Sequence, residues 1–335
     1  MYNRTMTILK NCLDKHDWDD YMLEHGAHPL QLWGWGDVKT AHGWDAYRLF
    51  CYNDDEDVVG AVQLLVRRLP WPFRSLSYVP RGPVVDEANR EELLSSLANY
   101  VKSKFHSVTL AIEPDSNEYT VPDGWKQSCN RILPSKTIIL DITRPEPELL
   151  NDMVKKTRQY IRKSAAEKIQ IKMVKNRTEL DKCLEIYRDT SKRANFTLHN
   201  DQYYYDVFSK LGDHSPVFAA YTGNEVVSFL WLAISADTAY ELYGGMNETG
   251  QQLRSNYALK WYAIRKCKEW GLSRYDFGGL LEGGISTFKK GWASEETDLA
   301  GTFSKPLSMF YGLWSNVFPT AKIVVRKMKS LFKKR

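Results

Sequence analysis

The segment YELYGGMNETGQQLRSNYALKWYAIRKCKEWGLSRYDFGGLLEGGISTFKK, residues 240–290, holds the clearest structural pattern in this 335-residue sequence. Its aromatic start predicts a short strand at residues 240–243. This strand is expected to break at Gly244-Gly245, because glycine reaches positive φ without steric cost. After a turn, Ser255 is predicted to cap a helix whose apolar residues recur every three or four positions. The first half of the segment therefore predicts a strand, a glycine turn and a helix.

The second half of the segment predicts another strand and a glycine-rich loop. Residues 275–277 form the predicted strand, Gly278-Gly279 ends it, and a loop leads to the sequence FKKG at residues 288–291. Lys260 and other basic residues are expected on the solvent side of the helix. A strand, a helix and a strand in this order predict two neighbouring strands with the helix across their sheet. In such folds, ligands bind where strand ends and glycine loops meet.

An earlier part of the chain repeats this order of elements. Residues 75–79 predict a strand, residues 90–105 a helix and residues 107–112 a second strand. Tyr78 then corresponds to Tyr243 at a nearly constant offset along the sequence. We therefore predict a mixed α/β (α+β) fold of two tandem acyltransferase-like domains.

The domain boundaries are expected at proline-rich and polar connections. The first domain should cover residues 1–143, since prolines at 145 and 147 interrupt the chain after a predicted strand at 136–142. The second domain should cover residues 144–300. Residues 301–335 are expected to pack back on the first domain and to end in a basic tail.

The net charge of +5 is concentrated at the C-terminus. Residues 319–335 contain seven basic residues and no acidic one, so the rest of the chain is slightly acidic. From residue 324 to 332, apolar side chains recur with helical spacing and basic ones occupy the other side, which predicts a basic amphipathic helix. Such a helix favours an anionic membrane surface as its partner.

The cysteines and the hydropathy pattern indicate the compartment. Five cysteines lie far apart, without metal-ligand spacing, and are expected to be thiols in a reducing environment. The start of the chain lacks the apolar run of a signal peptide, and no run is long enough to cross a bilayer. We expect a cytoplasmic, monomeric protein at the inner face of the plasma membrane.

Four motifs in order resemble the Fem family: YGG at 243–245, the following helix, YDFGG at 275–279 and FKKG at 288–291. Fem proteins are aminoacyl-tRNA-dependent peptidyltransferases built from two domains of the N-acetyltransferase (GNAT) fold. The resemblance implies transfer of Gly, Ala or Ser from its tRNA to the stem-peptide amine of a lipid-linked or UDP-linked peptidoglycan precursor, without a metal or cofactor. No coiled-coil arm fits the sequence, which indicates the short form of the family.

The resemblance also implies roles for individual residues. Lys289 follows an aromatic residue, Phe288, where the family places a lysine near the aminoacyl-tRNA end. A cation there could act in catalysis by stabilising charge that develops during transfer. The residues implied in precursor binding are Lys39, His199, Tyr203 and Tyr243, and Phe288 is also implied in substrate binding. Lys39 and Tyr243 are expected to come from different halves of the molecule. The alternatives are a solvated charge for Lys39 and a structural role for His199.

Two acidic residues lie at predicted strand ends. Glu113 ends a strand of the first half and Asp276 lies in the corresponding strand of the second half. Either carboxylate could hold the incoming amine, with Glu113 acting in catalysis and Asp276 in substrate binding. The alternative is structural, because such carboxylates often accept hydrogen bonds from neighbouring backbone N–H groups.

Two other functions stay open. An acyl-CoA-dependent N-acyltransferase would need an open glycine loop whose N–H groups bind pyrophosphate, and the turn at 246–255 does not supply it. A non-catalytic protein that binds tRNA or membranes is the other alternative. Residues 148–167 predict a basic helix that is either a solvated face or a phosphate contact. Motifs of serine hydrolases, zinc proteases and P-loop enzymes are absent from the sequence.

Overall fold

The computed structural model describes residues 8–128, 130–280 and 284–316. These residues form sixteen strands, ten α-helices and two short 3₁₀ helices. The strands are β1 (Ile8–Asn11), β2 (Asp45–Tyr52), β3 (Val58–Arg68), β4 (Ser75–Pro80), β5 (Val84–Val85), β6 (Ser107–Glu113), β7 (Lys126–Gln127), β8 (Lys136–Thr137), β9 (Ile139–Asp141), β10 (Gln170–Met173), β11 (Val217–Thr222), β12 (Glu225–Ile234), β13 (Thr238–Met246), β14 (Arg274–Asp276), β15 (Thr297–Asp298) and β16 (Phe303–Pro306). The α-helices are α1 (Lys15–Glu24), α2 (Trp33–Ala41), α3 (Glu87–Phe105), α4 (Glu146–Asp152), α5 (Lys155–Ala165), α6 (Arg177–Ala194), α7 (Asp201–Leu211), α8 (Glu248–Gln252), α9 (Ser255–Glu269) and α10 (Gly284–Lys290).

The described chain divides into two compact units. The first contains residues 8–18, 43–133 and 300–316, and the second contains residues 19–42 and 134–299. This division departs from the expected boundaries, since helix α2 belongs to the second unit. Gly34 explains why α2 packs closely on α7: a Cβ at this position would lie 2.3 Å from the carbonyl oxygen of Lys210.

The first unit is built on a mostly antiparallel sheet. Its strand order is β1-β2-β3-β4-β6-β16-β7, with β5 paired to β3. Strands β4 and β6 are parallel, so the chain between them crosses over through α3. Leu93, Leu97 and Val101 of this helix pack into the core of the unit. Strand β16, from the C-terminal segment, pairs antiparallel with β6.

The second unit repeats this plan. Its sheet has the order β10-β11-β12-β13-β14-β9, and β13 and β14 are parallel on either side of α8 and α9. Leu259 and Leu230 belong to the core between α9 and one face of the sheet. On the other face, Tyr187 of α6 packs against Phe229, with ring centroids 5.6 Å apart. The prediction of a mixed α/β fold with two similar units, each with one parallel strand pair joined through a helix, is thereby confirmed.

Three predictions about the secondary-structure elements of the 240–290 segment are wrong. Strand β13 continues through Gly244-Gly245, neither of which has a positive φ. The glycine is needed for packing instead, since a Cβ at Gly245 would lie 2.7 Å from Thr190 Oγ1. Ser255 does not cap α9, because its hydroxyl donates to Ser228 Oγ at 2.8 Å. The sequence before Gly291 forms the short helix α10 and not only a loop.

Other elements are shorter than predicted or lie beyond the described chain. The predicted strand at 136–142 is split into β8 and β9, and the predicted helix at 148–167 is split into α4 and α5. The predicted amphipathic helix of the C-terminal tail lies outside the described residues. Across the described ranges, no helix combines the length and the apolar character needed to cross a membrane.

Candidate active site

A cavity of about 550 Å³ opens in the second unit where strands β13 and β14 cease to pair. The two strands are in register only from Thr238 opposite Arg274 to Tyr240 opposite Asp276. Beyond this point β13 continues to Met246, while the segment after β14 turns away from it at Gly278 and Gly279, both of which have positive φ. The glycines that line the cavity are Gly244, Gly245, Gly278, Gly279 and Gly284. Backbone groups are therefore accessible to a ligand there.

Helix α10 brings Lys289 to the wall of this cavity. Its ammonium group donates to the carbonyl oxygens of Phe277 and, at 2.9 Å, of Gly279. Both carbonyls follow the last paired residue of β14, so the lysine satisfies groups that the sheet leaves free. Burial lowers the pKa of Lys289. The neighbouring Lys290 is exposed and pairs with Glu296 at 2.6 Å. The two lysines therefore lie in different surroundings.

A buried ion pair forms another part of the cavity wall, so the expectation that Lys260 lies on the solvent side of its helix is wrong. Lys260 Nζ donates to Glu241 Oε1 at 2.6 Å and to Oε2 at 2.8 Å, and the Tyr275 hydroxyl donates to Oε1 at 2.8 Å. Burial lowers the pKa of Lys260 to about 8, although Glu241 opposes this shift. Lys260 precedes the buried Ile264 and Cys267 by four and seven positions. This spacing places Lys260 on the apolar stripe of α9. It is the sequence signal from which the burial of Lys260 could have been predicted.

Lys39 lies in an aromatic environment in the same unit. Its ammonium group donates to the Tyr203 hydroxyl at 2.8 Å and lies 4.2 Å from the centroid of the Trp35 ring. Burial lowers the pKa of Lys39 to about 8. No carboxylate of the described chain forms an ion pair with this lysine. Its positive charge is therefore available to an anionic ligand.

Three further predicted residues join Lys39. The ring of His199 stacks on that of Tyr203, with centroids 3.8 Å apart. Burial, followed by the charges of Lys39 and His42, lowers the pKa of His199. The Tyr204 ring links Tyr203 to Tyr243, because its centroid lies 5.7 Å from that of Tyr203 and 5.2 Å from that of Tyr243. We call Lys39, His199, Tyr203 and Tyr243 the Lys39 cluster.

Tyr243 also lines the cavity, so it connects the Lys39 cluster to that space. The expectation that Lys39 and Tyr243 come from different halves is wrong, because both belong to the second unit. The reason is the close packing of α2 on α7, which carries Tyr203. Phe288 contributes to the cavity as well, and its ring packs against Tyr257 with centroids 5.0 Å apart.

Both predicted acids bind backbone or hydroxyl groups of their own unit. Asp276 is fully buried, and its Oδ1 accepts from the Thr137 hydroxyl at 2.5 Å and from Gly278 N–H at 2.8 Å. Glu113, in the first unit, is buried and has more partners. The donors to its carboxylate are the hydroxyl groups of Tyr78 and Thr302 and the N–H groups of Ile132 and Leu133. This geometry favours the structural alternative, and roles in catalysis or substrate binding stay predictions.

Comparisons with known proteins agree with this architecture. A profile described as the FemAB family matches residues 13–128, and one described as an acetyltransferase (GNAT) domain matches residues 151–290. The lipid II:glycine glycyltransferase of Staphylococcus saprophyticus is 22% identical over 397 residues, covering 90% of this chain and 94% of that protein. Its Staphylococcus aureus counterpart is 23% identical over 412 residues, covering 91% of this chain and 97% of that protein.

Solved structures show the same fold. The crystal structure of FemX aligns with 92% of this chain and with all of the FemX chain, with a TM-score of 0.81 and 20% identity. A tandem GNAT protein from the clavulanic acid biosynthesis pathway covers 90% of this chain and 99% of that chain, with a TM-score of 0.51 and 10% identity. The protein is thus a transferase built from two GNAT-like units. Within this class, the chain is similar to the Fem family, through the match of residues 13–128 and through relatives that cover nine-tenths of it at 20–23% identity.

Proposed function

We propose that this enzyme transfers an amino acid from an aminoacyl-tRNA to the stem-peptide amine of a peptidoglycan precursor. The observation that carries the proposal is the glycine-lined cavity with the Lys289 ammonium group in its wall. The names of the curated relatives support a precursor as acceptor and make glycine the first amino acid to test.

Lys289 is proposed to stabilise the charge that develops during transfer. The precursor amine attacks the ester carbonyl and a C–N bond forms, and the C–O bond to the tRNA ribose breaks as the ribose oxygen takes up the proton that the amine nitrogen loses. An ammonium group has three N–H donors. The Phe277 and Gly279 carbonyls accept two of those of Lys289 and hold the group in place, which leaves one for the oxyanion. One such donor is worth roughly 3 kcal/mol in the transition state.

The Lys39 cluster is proposed to bind the precursor. Lys39 supplies a cation for an anionic group of the precursor, and Tyr203 fixes the position of this cation by its hydrogen bond at 2.8 Å. Tyr243 belongs to the cluster and to the cavity wall. A precursor bound on the cluster would therefore extend its amine toward the ester carbonyl next to Lys289.

A transfer assay tests the proposal. Glycyl-, alanyl- and seryl-tRNA, each labelled in the amino acid, would be offered with a lipid-linked and a UDP-linked precursor in single-turnover reactions. We expect a new amide on at least one precursor and a loss of turnover in Lys289→Met. A folded enzyme that transfers none of these amino acids to either precursor would overturn the proposal.

The match of residues 151–290 to an acetyltransferase domain raises acyl-CoA as a second donor. The turn after β13 argues against it, because its N–H groups are already bonded. Asn247 accepts from Gly250 N–H through its side chain at 2.9 Å and from Gln251 N–H through its carbonyl at 3.0 Å. A pyrophosphate group needs such donors free. Titration calorimetry with acetyl-CoA is expected to show no binding heat.

A further inference from the structure

Helix α5 exposes a row of cations on one side. Lys155, Lys156, Arg162 and Lys163 are all exposed, and at 3.6 residues per turn they fall within about a third of the helix circumference. The sequence of the helix, KKTRQYIRKSA, contains no acidic residue. None of the four forms an ion pair with another described residue. We call these four residues the α5 strip.

The α5 strip adjoins the cavity of the same unit. Val154 N–H, at the start of the helix, donates to the carbonyl oxygen of Gly291 at 3.1 Å, directly after the residues that carry Lys289. Farther along, the Tyr160 ring lies 5.1 Å from that of Tyr257, which in turn contacts Phe288 of the cavity wall. A polyanion bound on the strip would therefore reach the cavity without leaving this unit.

We propose that the α5 strip binds the phosphate backbone of the tRNA acceptor stem while the aminoacylated 3′ end enters the cavity. This proposal rests on the proposed function, because it concerns the donor of that reaction. Phosphate backbones are bound by clustered lysine and arginine residues without help from apolar groups. The strip offers such a cluster beside the place where the ester must react.

An anionic membrane would also attract these cations, but the helix does not have the apolar face that membrane binding needs. Interfacial helices insert apolar side chains below the lipid headgroups. In α5 the buried residues are Thr157, Ile161 and Ser164, and Ile161 belongs to the core of the unit together with Leu259 of α9. The exposed residues of the helix are the four cations, Gln159 and the small Ala165, a surface that suits RNA better than lipid.

The test replaces all four cations of the strip by glutamine, in the full chain. The matched control replaces four other exposed cations, so that the net charge changes equally: Arg68→Gln, Lys102→Gln, Lys126→Gln and Lys182→Gln. Equilibrium binding of a glycine tRNA and of an RNA hairpin with the acceptor-stem sequence and a CCA end would be followed by fluorescence anisotropy at several salt concentrations. Transfer would be measured with full-length glycyl-tRNA and with a glycyl-CCA trinucleotide.

We expect the strip variant to bind both RNAs at least tenfold more weakly than the wild type. The slope of log K against log salt concentration should fall by about three, since each lost phosphate contact removes roughly 0.7–0.9. Transfer from the trinucleotide should stay unchanged, because that donor does not reach the strip. The control variant should behave as the wild type in all of these measurements.

Three outcomes would overturn the assignment. One is wild-type RNA affinity in the strip variant, and another is an equal loss of transfer from the trinucleotide. The third is loss of sedimentation with phosphatidylglycerol vesicles at unchanged RNA affinity, which would make the strip a membrane contact. If the wild type binds RNA through the strip but transfers no amino acid, the proposed function fails and the strip remains an RNA-binding surface.

Discussion

Three lysines of the second unit have a lowered pKa because they are buried, and each has a different kind of partner. Lys260 is paired with the Glu241 carboxylate, Lys289 is held by two backbone carbonyls, and Lys39 is held by a tyrosine hydroxyl. Only the first of these contacts neutralises a full charge. The charges of Lys39 and Lys289 are therefore available to ligands, whereas the charge of Lys260 is neutralised by Glu241 within the cavity wall.

Replacing Lys289 by methionine is expected to reduce turnover by about tenfold or more and to leave precursor affinity nearly unchanged. The reason is that the proposed contact is made to charge that exists only in the transition state. Lys290→Met is the control, since Lys290 is exposed and paired with Glu296. Rapid-quench transfer and precursor titration would measure the two effects separately. Equal turnover in both variants would rule out the role of Lys289.

The charge of Lys39 predicts a pH dependence of precursor binding. Because the pKa of Lys39 is about 8, the free enzyme loses this cation as the pH rises above 8. Affinity for an anionic group should then fall, approaching tenfold per pH unit. In Lys39→Arg the guanidinium stays charged, so the fall between pH 8 and 9.5 should disappear. Titration calorimetry from pH 7 to 9.5 checks this, and a flat wild-type profile would contradict it.

The Lys260–Glu241 pair predicts an asymmetric effect on stability. Lys260→Met leaves the Glu241 carboxylate buried without its cation and is expected to lower the free energy of unfolding by about 3–5 kcal/mol. The double variant Lys260→Met/Glu241→Gln removes both charges and should recover much of this loss. Urea unfolding of the wild type, the single variants and the double variant gives the coupling. Strict additivity of the two changes would show that the pair is not coupled in solution.

At the scale of elements, the site depends on where β13 and β14 separate. Gly278, directly after Phe277, has φ of +73°, and a Cβ there would lie 2.2 Å from the carbonyl oxygen of Glu241. Gly278→Ala should therefore cost about 2 kcal/mol or more and reduce transfer, because backbone must move on both sides of the cavity. Gly271→Ala is the matched control. It has φ of +85° with open space around it, and we expect only about 1 kcal/mol.

Thermal and urea unfolding of these two alanine variants, together with transfer assays, provide the measurement. The expected pattern is a larger loss of stability in Gly278→Ala and activity retained in Gly271→Ala. Equal losses in stability, with activity retained in both, would mean that the cavity tolerates movement at the point where the strands separate.

The long elements could be predicted from the sequence because their patterns are periodic and local. The strand predicted at 107–112 begins correctly and ends one residue early, and the helix predicted at 90–105 begins three residues late but ends correctly. The path of β13 through Gly244-Gly245 could not be predicted, because the close approach that requires glycine at 245 is to Thr190, a residue far away in the sequence. The break between α4 and α5 was missed for a similar reason, since Val154 bonds to Gly291.

The site was predictable only in part. The motif FKKG pointed to Lys289, and the structure places it in the cavity wall. Glu241 was missed because its importance comes from Lys260 and Tyr275, which only the folded sheet brings together. The assignment of Lys39 to the other half failed because the sequence does not reveal that α2 packs on α7 of the second unit.

At the scale of the whole molecule, the two units share one structural device. In each, the last register pair of the parallel strands contains a carboxylate, Glu113 opposite Pro80 and Asp276 opposite Tyr240. Each carboxylate accepts backbone N–H groups of a nearby loop. The two units therefore end their parallel strand pairs in the same way. The described cavity, with Lys260 and Lys289 in its wall, belongs to the second unit.

The last prediction concerns the C-terminal tail, which lies outside the described residues. Residues 319–335 contain seven basic residues and no acidic one, and an anionic leaflet attracts each nearby cation by about 1 kcal/mol. We expect truncation after Pro319 to abolish sedimentation with anionic vesicles. It should reduce transfer to a lipid-linked precursor more than transfer to a soluble analogue, because only the first acceptor is confined to the membrane. A truncated enzyme that still binds vesicles but loses tRNA affinity would assign the tail to the nucleic acid.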